Sequence, residues 1–445
     1  MKTWIKDPAA TWTGNQLNAP NGVVFENDKI IELVEGEPTS SYESVHEASN
    51  CVLLPGLINC HHHFYQTLTR ALPIALNKEL FNWLTALYPL WANLNEEAIK
   101  AATRTALSEL LLSGCTTTAD HHYVFPPTCH NAIDLQAEVT REIGVRTILT
   151  RGSMSLGKSS GGLPPDDVVQ NGDTILKESE RLINELHDPK VGSMIQVALA
   201  PCSPFSVTTE LMRDSAALAR EKGVLLHTHL AETKAENDFC LEMFGKRPLD
   251  YLEQVGWLQD DVWLAHGIHF TNEEIDRLGD AKTAICHCPS SNMILASGIC
   301  RVNELQGAGC TIGLGVDGSA SNDSSNLMQE VRQAFLMQRL KYGAEAFSHE
   351  DALKLATVGG AGLFRRTDIG HIGPGLQADL VLFNLNELRF GGAGDPIAAL
   401  VLCGAHRADA VIVNGEWRVK DGELVDIDIE ELMFEQRQAA RTLTA

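Results

Sequence analysis

The sequence predicts an α/β fold, a (β/α)8 barrel that carries a small β-sandwich built from both chain ends. Short apolar runs alternate with longer helical patterns through the middle of the chain, which is typical of βα units around a parallel sheet. Eight such runs can be counted, and several end in histidine or aspartate. Because catalytic groups of such barrels lie at the C-terminal ends of the strands, the same positions predict an active site.

The barrel strands are identified by their apolar runs. They are predicted to end near His63, Asp120, Arg151, Pro201, His229, His266, His287 and Asp317. Helical patterns between or after these strands cover Glu96 to Ser113, Thr209 to Lys222 and Ser325 to Lys341. Residues 55–371 are therefore predicted to form the barrel.

Both chain ends are rich in strand patterns. Gly22 to Phe25 and Lys29 to Val34 lie near the start, and Ala378 to Phe383 and Ala410 to Trp417 lie near the end. Each end is too small to fold alone, and 445 residues exceed the usual limit of about 250 to 300 for one hydrophobic core. Residues 1–54 together with 372–445 are therefore predicted to form a second, β-sandwich domain.

The charge and composition of the chain exclude some classes of binding partner. A formal charge of −23 argues against a nucleic-acid partner, which requires clustered Lys and Arg. The 11 cysteines are scattered through a long chain, as expected in a reducing cytosol. The N-terminus lacks the apolar core of a signal peptide, and no uninterrupted stretch of about 18 apolar residues occurs. We expect a cytoplasmic protein with a small-molecule ligand and without membrane partners.

Candidate metal ligands lie at three of the strand ends. His61 and His63 follow one apolar run, and side chains two residues apart in a strand point to the same side. A second pair of histidines two residues apart, His227 and His229, ends another apolar run, and Asp317 follows a third strand. His61, His63, His229 and Asp317 are thus the predicted metal ligands. His62 and His227 are expected to face away from the metal.

The predicted catalytic residues surround these ligands. A catalytic zinc typically takes three or more N/O ligands and lowers the pKa of a bound water to about 7. Glu232, three residues beyond His229, is the expected proton shuttle, and Asp317 is expected to accept the proton of the water. His266 ends the next strand and is expected to orient the water or to polarise the atom under attack.

Two other motifs are weaker signals. Gly313 to Gly318 satisfies the GxGxxG pattern, but it comes late in the βα series without an acidic ribose ligand. Cys286-His287-Cys288 has no second pair of cysteines or histidines for a structural zinc. The signature of the cytidine-type zinc deaminases is absent, since Pro201-Cys202-Ser203-Pro204-Phe205 lacks the second cysteine.

Together these motifs resemble the amidohydrolase superfamily over nearly the whole chain. The resemblance rests on Pro55 to Asn59, the HxH at 61 and 63, His229 to Glu232, His266, His287 to Asn292, Asp317 to Ser319 and Ile372 to Val381. It implies a distorted TIM barrel with a β-sandwich. Members with two metals carry a bridging lysine on the fourth strand, where this chain reads Gln196 to Pro201. One divalent metal ion per chain is therefore implied, and we expect Zn²⁺.

The single-metal pattern resembles the deaminase branch, whose members hydrolyse C–N bonds of cyclic amidines. Segments near residues 63–70, 120–126 and 151–157 are similar to 8-oxoguanine deaminases. This implies conversion of 8-oxoguanine to urate and ammonia, with isocytosine as a second substrate, by a homo-oligomer. The implied substrate-binding residues are Gln66, Trp83, His122 and Arg151.

Four alternatives remain open at this point. An s-triazine aminohydrolase of the hydroxyatrazine type or a guanine deaminase would use the same metal chemistry on another ring. A hydrolase of amide or ester bonds would direct the activated water at a carbonyl. A ligand-binding protein without activity would have lost a metal ligand or the proton shuttle, and the complete set here argues against it.

Overall fold

The computed structural model describes residues 1–445. Six strands precede the barrel: β1 (Lys2–Lys6), β2 (Ala10–Thr11), β3 (Gly22–Glu26), β4 (Lys29–Leu33), β5 (Ser44–Glu47) and β6 (Cys51–Pro55). Four follow it: β15 (Leu380–Asn384), β16 (Ala410–Val413), β17 (Glu416–Lys420) and β18 (Glu423–Leu424).

Eight parallel strands form a closed barrel in between. They are β7 (Leu57–Asn59), β8 (Cys115–His122), β9 (Arg146–Ser153), β10 (Ile195–Pro201), β11 (Leu226–Leu230), β12 (Val262–His266), β13 (Ala284–His287) and β14 (Ile312–Leu314). Each strand pairs with the next along the chain, and β14 pairs with β7 to close the ring. The predicted barrel fold is confirmed, and its strand ends meet on one face.

Helices cover the outside of the barrel. They are α1 (Leu80–Trp91), α2 (Glu96–Leu112), α3 (Ala132–Ile143), α4 (Gly172–Leu186), α5 (Thr209–Lys222), α6 (Lys234–Phe244), α7 (Pro248–Gln254), α8 (Asn272–Ala281), α9 (Pro289–Ile294), α10 (Val302–Ala308), α11 (Leu327–Tyr342), α12 (His349–Lys354), α13 (Gly360–Leu363), α14 (Pro396–Leu402) and α15 (Ile429–Thr444). A π-helical turn, Leu355–Gly359, separates α12 from α13. None of these helices has the length and apolar character needed to cross a membrane.

The terminal strands form two sheets that share a core. One sheet has the order β4-β3-β1-β5, and the other has the order β18-β17-β16-β15-β6-β2. Their common core includes Val23 and Phe25 from the first sheet and Leu53 and Leu382 from the second. Strands from both chain ends therefore pack together.

The C-terminal helix packs elsewhere. Gln436 of α15 donates to the carbonyl oxygen of Thr67 at 2.9 Å and accepts from Thr105 of α2 at 3.1 Å. This helix thus contacts the barrel, although it lies within the predicted second domain. The division into residues 1–54 with 372–445 and residues 55–371 remains a prediction.

Two barrel strands are shorter than predicted. β7 ends at Asn59 and β14 at Leu314, before the histidines and the aspartate that the sequence places at their ends. The chain beyond β7 is nevertheless held by neighbouring backbone, since His61 O accepts from Asp317 N at 3.0 Å and His62 O accepts from His121 N at 2.7 Å. These hydrogen bonds fix the HxH segment in place without a regular ladder.

A buried ion pair joins the barrel to the six-stranded sheet. The guanidinium of Arg146, at the start of β9, contacts both carboxylate oxygens of Asp379 at 3.0 and 3.1 Å. It also donates to the carbonyl oxygens of Gly192 and Ser193. The guanidinium thus has a counter-charge and hydrogen-bond acceptors, as a buried charge requires.

Replacing Asp379 by alanine should lower the free energy of unfolding by about 3–5 kcal/mol, because it leaves a buried guanidinium without its counter-charge. Denaturant-induced unfolding of both proteins measures the difference. Glu138→Ala is the control, because Glu138 forms a solvent-exposed pair with Lys100, and its loss should cost less than about 1 kcal/mol. Equal losses in the two variants would contradict the role of the buried pair.

Candidate metal centre and active site

The predicted metal ligands converge at the C-terminal end of the barrel. Asp317 Oδ1 lies 3.3 Å from Nε2 of His61 and 3.3 Å from Nε2 of His63. His229 Nε2 lies 3.3 Å from His63 Nε2. All four side chains are buried. We call these residues, His61, His63, His229 and Asp317, the His-Asp cluster.

The Nδ1 atom of each histidine in the cluster is already occupied. His61 Nδ1 lies 2.8 Å from His227 Nε2, and the Nδ1 atoms of His63 and His229 donate at 2.6 Å to the carbonyl oxygens of His121 and Cys202. Such partners fix the tautomer and the direction of a metal-binding ring. The Nε2 atoms therefore carry the free lone pairs and face one another.

The cluster fits a metal ion. His61 Nε2 is buried and has no hydrogen-bond partner within the chain. Burial lowers the pKa of His61 and of His229 well below its usual value, so both rings are neutral at pH 7. Neutral imidazoles with aligned lone pairs beside a carboxylate form the donor set that divalent transition metals prefer.

His227 lies beneath the cluster, contrary to the expectation that it faces away. Its Nδ1 donates to Trp263 O at 2.9 Å, so the Nε2 of the neutral ring accepts the proton of His61 Nδ1. The expectation was wrong because residues two apart in a strand share a face, which places His227 on the same side as His229. His227 therefore orients His61.

Replacing His227 by leucine should weaken metal binding about 10- to 100-fold, because His61 loses the partner that fixes its tautomer. Competition with a chelator of known affinity measures the change. His187→Leu is the control, since the Nδ1 of this histidine accepts from Val197 N in β10, outside the cluster. Unchanged metal affinity in the His227 variant would contradict the assignment.

Glu232 and His266 complete the site. Glu232 Oε2 lies 3.5 Å from His266 Nε2, which lies 3.8 Å from Asp317 Oδ2. Asn292 Oδ1 accepts from His266 Nδ1 at 2.9 Å, and Ser297 Oγ donates to Glu232 Oε1 at 3.4 Å. Burial and the nearby charge of Asp317 raise the pKa of Glu232 to about 8. Its carboxyl group is therefore protonated at neutral pH and can donate.

The backbone that presents these groups is unusual. Ala231, His266 and Asp317 all have a positive φ, at 53°, 73° and 64°. Residues other than glycine rarely adopt this region, and such strain collects at functional sites. Glu236 anchors one of the turns by accepting from the backbone N–H groups of Ala231 and Glu232 at 2.9 and 2.8 Å. Glu236 could not be predicted from the sequence, because a buried acceptor of backbone N–H groups has no motif.

A cavity of about 360 Å³, here called the inner cavity, lies against the cluster. Its walls are formed by His63, Gln66, Leu80, Trp83, Leu84, Tyr123, Cys202, Phe205, His229, Glu232, His266, Leu295, Asp317 and Ser321. Apolar and aromatic walls with a few convergent polar groups are typical of small-molecule sites. The cavity therefore brings the cluster and Glu232 to one small ligand.

Two of the predicted substrate-binding residues border the inner cavity. Gln66 Oε1 is buried and has no hydrogen-bond partner. Gly318 lies so close that a Cβ there would come within 1.9 Å of this oxygen, so only glycine permits the position of Gln66. Trp83 donates its indole N–H to Ala320 O at 3.2 Å and presents its ring to the cavity.

The other two predicted residues lie outside the cavity walls. His122 Nε2 donates to Val124 O at 2.8 Å. The guanidinium of Arg151 lies 3.8 Å from the ring centroid of Phe125 and donates to Gln170 Oε1 at 2.7 Å. The geometry gives their predicted substrate role no support.

The residue at the cluster is His121 rather than His122, because neighbours in a strand face opposite sides. Tyr123, which follows them directly, borders the inner cavity and lies edge-on to His63 with centroids 5.2 Å apart. Neither residue was predicted as part of the site, although their position at the end of a barrel strand was a usable signal.

Comparisons with known proteins agree with this geometry. The family model described as "Amidohydrolase family" matches residues 52–418. The chain is 57% identical to 8-oxoguanine deaminase of Pseudomonas aeruginosa over all of this chain and 99% of that protein. It is 37% identical to hydroxydechloroatrazine ethylaminohydrolase of a Pseudomonas species, over 87% of this chain and 82% of that protein.

Solved structures give the same answer. The crystal structure of atrazine chlorohydrolase from Arthrobacter aurescens, complexed with zinc, superposes with a TM-score of 0.93 at 30% identity. The match covers 98% of this chain and all of that one. Sequence, fold and the His-Asp cluster agree, and the chain belongs to the amidohydrolase family.

Proposed function

We propose that this chain is a metal-dependent hydrolytic deaminase that converts 8-oxoguanine to urate and ammonia. The 57% identity over the whole chain to an 8-oxoguanine deaminase carries this proposal. The inner cavity adds physical support, because three of the four predicted metal ligands and a protonated carboxyl group border it together with apolar and aromatic side chains.

One Zn²⁺ per chain would be held by His61, His63, His229 and Asp317. When bound, the ion would lower the pKa of a water molecule and would help to polarise the carbon under attack. The fourth barrel strand, β10, carries no lysine that could bridge two ions. The zinc-containing family structure supports the choice of metal.

The protein side chains move the protons. Asp317 accepts the proton of the attacking water, and His266 orients that water by hydrogen bonding. Glu232 donates its proton to the ring nitrogen next to C2. The C2–O bond forms, and the second proton of the water passes from the new C2 hydroxyl group to Glu232, which restores its carboxyl group. The exocyclic C2–N bond breaks after the amine receives the first water proton from Asp317, directly or by way of Glu232. One water is consumed, and urate and ammonia leave.

Gln66 and Trp83 would recognise the ring. The free amide oxygen of Gln66 can accept from an N–H group of the substrate, and the amide nitrogen can donate to a carbonyl. The ring of Trp83 offers a face on which a planar heterocycle can stack. Apolar side chains, including Leu84 and Phe205, form the remaining wall and exclude water.

Ammonia release from a substrate panel tests this function. The panel contains 8-oxoguanine, guanine, isocytosine and hydroxyatrazine, and the protein is assayed with its metal content determined. We expect 8-oxoguanine to be converted to urate faster than guanine is deaminated, with isocytosine as a second substrate. Turnover of hydroxyatrazine alone would identify an s-triazine aminohydrolase and overturn the assignment.

A further inference from the structure

A second cavity lies directly outside the inner cavity. This outer cavity, whose space of about 1060 Å³ includes open solvent, is bordered by Glu79, Leu80, Phe81, Asn82, Thr233, Lys234, Ala235, His269 and residues 295–298. Leu80 and Leu295 are the two residues that border both cavities. Their side chains therefore form a shared wall between the site of chemistry and the outer space.

The wall is firmly placed on both sides. Leu80 is the first residue of α1, and Leu295 directly follows α9 and donates its backbone N–H to Ser291 O at 2.9 Å. Ala296 then turns the chain away with a φ of 54°. Both leucine side chains are buried, with 6% and 3% of their surface exposed. The packing keeps them in the gap between the cavities.

The two cavities differ in chemistry. Of the His-Asp cluster, His63, His229 and Asp317 border the inner cavity, and none borders the outer one. The outer cavity has both apolar and polar side chains in its walls. Its hydrogen-bonding and charged side chains belong to Glu79, Asn82, Thr233, Lys234, His269 and Ser297. Such a lining would suit a hydroxylated group such as a ribosyl unit.

We propose that Leu80 and Leu295 are specificity-determining residues that restrict the enzyme to free heterocyclic bases. This inference rests on the proposed function. In a purine whose C2 lies at the cluster, N9 lies three bonds from C2, in the five-membered ring. A substituent on N9 would have to pass the wall into the outer cavity, and the two leucines block that path.

The test is the double substitution Leu80→Ala with Leu295→Ala, which joins the two cavities. The measured quantity is kcat/KM for 8-oxoguanine, 9-methyl-8-oxoguanine and 8-oxoguanosine. Relative to 8-oxoguanine, the two substituted compounds should gain at least about tenfold in the double variant, since small changes in an apolar pocket shift discrimination by that order.

Two matched controls separate the wall from general enlargement. Leu84→Ala enlarges the inner cavity alone, and Phe81→Ala enlarges the outer cavity alone. Neither should admit the substituted compounds. The proposal is overturned if wild-type protein accepts 8-oxoguanosine as well as 8-oxoguanine, if the double variant gains nothing, or if Leu84→Ala gains equally.

Alkylation of Cys202 provides a readout that does not depend on the reaction. Cys202 borders the inner cavity and is buried, whereas Cys403 is exposed and serves as the internal reference. N-ethylmaleimide labelling, followed by peptide mass spectrometry, should be faster at Cys202 in the double variant, since the reagent can then also reach the thiol through the outer cavity. Leu84→Ala should label like wild type.

The two readouts distinguish the two ways of failing. Faster labelling of Cys202 together with no turnover of 8-oxoguanine by wild type would overturn the proposed function and leave the wall intact. Unchanged labelling of Cys202 in a folded double variant would contradict the proposal that Leu80 and Leu295 separate the two cavities. If the double variant does not fold, Leu80→Val and Leu295→Val, which remove less volume, should each show the same effects in smaller size, and their absence would overturn the proposal.

Discussion

Replacing Glu232 by glutamine should lower kcat for 8-oxoguanine at least about 100-fold while the metal stays bound, because an amide of the same shape cannot deliver a proton. Glu232 is buried, borders the inner cavity and is not among the ligands of the cluster. Steady-state kinetics and metal content, measured on the same sample, test both parts of this expectation.

The control for this substitution is Glu138→Gln, which alters an exposed carboxylate paired with Lys100. It should leave kcat within about twofold of wild type, as substitutions far from the site usually do. Near-normal turnover by a metal-loaded Glu232 variant would show that Glu232 does not transfer a proton in the reaction.

Replacing His63 by alanine should weaken metal binding by more than about 100-fold, beyond the effect of losing an outer partner. Turnover should fall with it. His63 Nε2 lies next to both Asp317 and His229, so the substitution removes a ligand atom from the middle of the cluster. Elemental analysis after dialysis, together with ammonia release, measures both effects.

His62→Ala is the matched control, because this neighbouring histidine uses its Nδ1 to accept from the backbone N–H of His63 and is not one of the four predicted ligands. Its variant should keep metal binding within about tenfold of wild type, the lower end of the effect of losing an outer partner. A His63 variant that binds metal like wild type would contradict the assigned ligand set.

The barrel and the cluster could be predicted because the patterns that indicate each strand and each ligand are local in sequence. Apolar runs identify parallel strands buried on two faces, and the strand ends meet at one face of the barrel. His229 and Asp317 could therefore be predicted as ligands without knowledge of the tertiary contacts. The HxH segment was found for a partly wrong reason, since β7 ends at Asn59 and backbone hydrogen bonds, rather than a strand, hold His61 and His63.

The walls of the cavity could not be predicted in the same way. Leu80 begins one helix and Leu295 follows another, more than two hundred residues away. From the sequence, an apolar residue in either place is expected to be an ordinary core residue. His122 was predicted from its place at the end of a barrel strand, whereas the face of that strand places His121 at the cluster. Such choices depend on packing between elements, which single motifs do not encode.

The account depends most directly on one metal per chain supporting deamination of 8-oxoguanine. The decisive measurement is a titration of metal-free protein with Zn²⁺, in which bound metal and the rate of urate formation are recorded at each point. We expect the rate to rise in proportion to bound metal and to level off at one ion per chain. Urate formation by metal-free protein, or a plateau reached only at two ions per chain, would contradict the account.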